Sequence, residues 1–166
     1  MRIRLPHPEL AAITRRVASR VVSTHRVVIA GVEIPYAVFC SGAEAAWSPA
    51  YYDEEGRIFI ADDLVALDQT YAELTVFHEH LEITYKRAGR SHAYAHRRAF
   101  VEELLAAREH FSSPSAFREH LHWRISGYPA SKVPDPEPVI AQLEQILSQP
   151  RPRKGDLLAV IRAYRL

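Results

Sequence analysis

The chain has 166 residues, enough for one domain with a real core and too few for two comfortable ones. Hydrophobic residues at 48% and charged residues at 25% exclude a wholly disordered chain, and no apolar run approaches the ~18–20 residues of a membrane span. A net charge of +1, from 21 basic and 20 acidic residues, gives no reason to expect nucleic acid or a membrane surface as a partner.

The start, Met1 to His7, carries positive charge with no apolar stretch behind it, so a cytoplasmic protein without a secretory signal is expected. Pro8-Glu9-Leu10 opens a helical pattern to about Arg20, with Leu10, Ile13, Val17 and Val21 at three- and four-residue spacing. Two strands follow, Val27–Ala30 and Val32–Phe39, around a turn at Gly31. The lone cysteine, Cys40, rules out an internal disulfide, and its apolar run predicts a buried thiol. Ala50–Tyr52 and Arg57–Ala61 read as another strand pair around Asp53-Glu54-Glu55-Gly56. Together these strands predict a small antiparallel sheet.

From Asp68 onward the pattern is helical, over 68–88, 91–111 and 114–126, with breaks at Gly89 and at Ser112-Ser113-Pro114. Ser91 and Ser113 are the expected N-caps, the latter with Pro114 at the first helical position. Residues 127–138 hold four prolines and read as a loop, and helices over 137–148 and 155–164 close the chain. The expected fold is α+β: one domain over 1–166, with a helix and small sheet in 1–66, a helical hairpin region in 67–126, and a loop with short helices in 127–166. Trp47 and Trp123 are expected to anchor the packing.

Nine histidines are the compositional oddity, and six of them fall between 78 and 120. Each helical residue advances about 100° around the axis, so His78 and Glu82 lie together in the apolar stripe of their helix. Glu79 falls on the flank of that stripe, and His80 on the solvent side. On the next helix His96 shares the apolar face with Phe100 and Leu104, flanked by Glu103 and His92. A break at Gly89 folds the two inner faces together. A buried carboxylate needs a cation or a raised pKa, so His78 and Glu82 either share a hydrogen bond or, with His96, a metal ion. His110, His120 and His122 have no spacing that joins them to this group and are expected at the surface.

The run His78-Glu79-His80-Leu81-Glu82, followed by His96, resembles a variant of the zincin metallopeptidase signature, His-Glu-x-x-His with a later third ligand. The resemblance covers roughly residues 57 to 103 and departs where Glu82 stands for the second histidine. It implies a zincin-like fold with one zinc per chain held by His78, Glu82 and His96, and Glu79 as general base. It also implies a peptide or protein substrate, and an edge-strand role for Arg57–Ala61. Glu103 would orient a ligand histidine, and Tyr85, Tyr94 or His92 would donate to the oxyanion. The competing readings are a non-catalytic metal-binding helical protein and a metal-free interaction module.

Overall fold

The computed structural model describes residues 3–5, 7–46, 48–127 and 133–166, with the side chains of 45 and 46 excepted. Trp47 and residues 128–132 of the proline-rich loop lie outside the described residues. The architecture is α+β: a four-stranded sheet and seven α-helices among the described residues.

The first helix, α1 (Leu10–Ala18), is followed by β1 (Val21–Ile29), which starts earlier than its apolar core suggests, and by β2 (Val32–Phe39). The two strands pair antiparallel from Ile29↔Val32 outward. Their turn is two residues long, with Ala30 and Gly31 both at positive φ (51° and 76°), the geometry that matches the twist of a tight hairpin. A 3₁₀ turn at Ala43–Ala46 leads to β3 (Ala50–Tyr52) and β4 (Ile58–Ala61).

The strand order is β1-β2-β4-β3, and here the structure departs from the sequence expectation. β4 pairs antiparallel with β3 but parallel with β2, so the sheet is mixed, not antiparallel. The two hairpins read from sequence are both present; what their patterns leave open is which strand of the second hairpin docks on the first. β4 has a strand paired on each side, β2 and β3, and so is internal. Arg57–Ala61 therefore cannot serve as the sheet edge, and β3 holds that position beside β4.

A short helix, α2 (Asp62–Leu67), which has no counterpart in the sequence pattern, turns the chain into α3 (Gln69–Arg87). Asp68 caps α3, its carboxylate accepting from the Thr70 and Tyr71 amides at 2.7 and 3.1 Å. At the other end Gly89, at φ 78°, closes a Schellman motif: its amide donates to the Lys86 carbonyl, and the Arg90 amide donates to the Tyr85 carbonyl. Ser91 then caps α4 (His92–His110) through the Tyr94 amide. Ser113 caps α5 (Pro114–His122), which runs into a π-helical turn at Trp123–Gly127; α6 (Glu137–Leu147) and α7 (Lys154–Ala163) complete the described chain.

Three apolar clusters fix these pieces. Val17 of α1 packs against Phe39, Tyr51 and Phe59 on one sheet face. Ile29, Ile34, Val38 and Ile60 pack against Leu74, Val76 and Phe77 of α3 on the other. Phe100, Val101 and Leu104 of α4 pack against Leu121, Ile140, Leu143 and Leu157 of the last helices. α3 and α4 thus form the hairpin between the sheet and the C-terminal helices. Cys40, expected to be buried, is exposed just past the end of β2.

Candidate metal centre

His78 and Glu82 project from the side of α3 that faces α4, and both are buried, at 2% and 3% exposure. His96 meets them from the facing side of α4. The three donor atoms form a triangle: His78 Nε2 to His96 Nδ1 is 3.1 Å, His96 Nδ1 to Glu82 Oε2 is 3.3 Å, and His78 Nε2 to Glu82 Oε2 is 3.7 Å. Bonds of ~2.0–2.2 Å to a tetrahedral ion place its ligand atoms ~3.3–3.5 Å apart, so the triangle fits one face of such an ion. Two imidazole nitrogens and a carboxylate oxygen are also a donor set that divalent transition metals accept. This buried group could hold a metal ion.

A carboxylate and an arginine orient His78 from behind. Glu103 is fully buried on α4 and accepts from His78 Nδ1 at 2.8 Å, the arrangement that fixes the tautomer and leaves Nε2 for the triangle. Arg124, from the π-helical turn, clamps Glu103 with Nε on Oε1 at 2.7 Å and Nη2 on Oε2 at 3.1 Å, and stacks over Phe100. Burial alone would raise the Glu103 carboxyl, but the Arg124 charge and the His78 hydrogen bond outweigh it and hold it at about 2. Burial likewise disfavours a charged His78, yet the Glu103 and Glu82 hydrogen bonds raise that ring to about 9.

Glu82 is held from a third direction. Its Oε1 accepts from the Tyr52 hydroxyl of β3 at 2.6 Å and faces His92 Nδ1 at 2.9 Å and Lys86 Nζ at 3.6 Å. Burial would raise its carboxyl, but interactions with His78, His92 and His96 outweigh that and lower its pKa below the usual carboxylate range. His96 goes the other way, its ring pushed down chiefly by burial.

The remaining candidates fall into place around this core. Glu79 is partly buried beside the triangle and accepts no hydrogen bond among the described residues; burial, then the Glu82 charge, push its carboxyl up. Tyr85 and Tyr94 pack edge to face on each other, and neither hydroxyl bonds to the three donor atoms among the described residues. His92 is half-exposed at the mouth of the site. His80 stays outside the group; burial, then the Arg87 charge, lower its pKa. His120, expected at the surface, is fully buried among Tyr71, Phe111 and Trp123, and neither ring nitrogen has a hydrogen-bond partner among the described residues.

Three functional side chains here carried no sequence expectation: Tyr52, Lys86 and Arg124. Lys86 had a signal, since it follows Glu82 by four residues, the spacing at which a helix pairs a carboxylate with a cation. No known family matches the chain, and comparison with curated proteins and with solved structures returns no significant match.

Proposed function

We propose that the chain is a zinc-dependent hydrolase of metallopeptidase type, cleaving a peptide or related amide bond. The observation that carries this reading is the triangle of His78 Nε2, His96 Nδ1 and Glu82 Oε2, all within 4.8 Å of one another. Zinc bound there supplies a water acidified toward ~7 and a Lewis acid for the carbonyl oxygen of the scissile bond.

The chain's own residues supply the rest. Glu79 adjoins His78 on the same helix and has a carboxyl raised by burial and by the Glu82 charge, so it can take a proton near neutrality and pass it to a leaving amine. Glu103 and Arg124 hold the His78 ring in one tautomer, and two of the ligands, His78 and Glu82, are buried.

The test is metal analysis of protein purified without a metal-affinity tag. About one zinc per chain is expected in the wild type and none in His96→Ala. Glu79→Gln should retain the zinc and lose turnover of a mixed peptide pool. A wild-type chain that carries no metal and takes up no added zinc would overturn the reading. Zinc without any turnover would reduce it to a metal-binding protein.

A further inference from the structure

A free carboxylate offers a metal two equivalent oxygens, but those of Glu82 are not equivalent. Oε1 has the Tyr52 hydroxyl at 2.6 Å, His92 Nδ1 at 2.9 Å and Lys86 Nζ at 3.6 Å. Among the described residues, the polar atoms that Oε2 faces are the ring nitrogens of His96 and His78, at 3.3 and 3.7 Å. The direction of the Tyr52 proton is fixed by Lys86. Its ammonium has donors and no acceptor, and Nζ lies 2.6 Å from the Tyr52 oxygen. Tyr52 must therefore accept from Lys86 and donate to Glu82. Lys86 is itself held, with its side chain 6% exposed, its ammonium 5.1 Å from the centre of the Tyr52 ring, and a second bond to the Arg4 carbonyl at 3.3 Å.

Building on the proposed zinc site, we infer that Tyr52 is a positioning residue that, with Lys86 and His92, reserves Oε1 of Glu82 and makes this side chain a one-oxygen metal ligand. Three elements contribute: β3 brings Tyr52, α3 brings Lys86 and α4 brings His92. The consequence is chemical. Two histidines and a single oxygen leave a tetrahedral ion one position for water, whereas two oxygens fill it. Tyr52, which touches neither the ion nor a substrate, keeps that position open by holding Oε1 away.

The test is the zinc-minus-apo infrared difference spectrum of the full chain labelled with ¹³C-carboxyl glutamate. The Glu82 bands are identified by their loss in Glu82→Gln. A one-oxygen carboxylate shows a wide separation between its antisymmetric and symmetric stretches, and a chelating one a narrow separation. The wild type should give the wide pair. Tyr52→Phe, which keeps the ring and its packing, should bind one zinc and give the narrow pair. Lys86→Met, which frees the Tyr52 hydroxyl to rotate, should shift in the same direction and serves as the deciding variant should Tyr52→Phe not fold. Equal separations in the wild type and these variants, or loss of zinc by a folded Tyr52→Phe, overturn the inference. Absence of any Glu82 band change when zinc is added to the wild type is a different failure, and it removes the zinc site itself.

Discussion

Glu103 is the side chain on which the centre leans hardest, because it is an ionised group with no exposure at all. Removing one partner from such a group strands a charge in a medium that cannot solvate it, at a cost of about 3–5 kcal/mol. Arg124→Met should cost that much in urea unfolding, although Arg124 lies outside the metal-ligand set. His120 makes the opposite case. Burial depresses its pKa from 6.5 to about 4 and no described residue bonds its nitrogens, so the folded state keeps it neutral while the unfolded state takes up a proton. Stability should therefore fall as the pH drops from ~6.5 to ~4, by up to about 3 kcal/mol from this residue. His120→Phe should flatten that slope in melting temperatures measured across the same range. At this scale the sequence was legible where a single helix sets the geometry: His78 and Glu82 follow from rotation about the axis of α3, and His96 and Glu103 from rotation about that of α4. Tyr52 and Arg124 come from a strand and a π-helical turn, and no period in the chain connects them to α3. His120 was expected at the surface because no spacing joins it to the His78 and His96 group, while the rings that enclose it come from α3, the end of α4 and the turn after α5.

Among the elements, the α3–α4 hairpin decides whether a site exists, since each helix alone carries only part of the ligand set. Its geometry is set by Gly89 in the left-handed region. A methyl group at Gly89 would meet nothing within 4 Å, so Gly89→Ala isolates the backbone term. The variant should lose about 1–2 kcal/mol in urea unfolding with no steric contribution. The helices and their caps were readable because Ser91 and Ser113 sit one residue before the apolar period begins. The strands were readable too, but the join between the two hairpins was not. Whether β4 or β3 lies beside β2 depends on packing against α1 and α3, which strand patterning does not encode. That join has a functional side: it puts Tyr52 at the sheet edge over α3, within reach of Glu82.

Taken whole, the molecule has its proposed chemistry in a seam. α4 gives one side to the metal centre through His96 and Glu103, and the other to the C-terminal helices through Phe100, Val101 and Leu104. Leu143 of α6 is fully buried in that second cluster, and Leu143→Ala should cost about 2–5 kcal/mol in thermal or urea unfolding. The side of α4 toward the metal centre is legible in its sequence, where Glu103 flanks the face of His96; the second buried side is not, because the charged run Arg97-Arg98 and the pair Glu102-Glu103 break up the apolar pattern that two buried faces require.

A helix with two clients also transmits. An ion gripped by His96 would bind the folded chain and not the unfolded one, so saturating it at a hundredfold excess over its dissociation constant adds about 2.7 kcal/mol to the opening free energy of every segment that must unfold with α4. Amide hydrogens in α6 and α7, which supply no ligand, would then exchange with deuterium more slowly in the zinc-loaded chain than in the chelated one. Those distant amides would work as a gauge of occupancy, readable without a substrate.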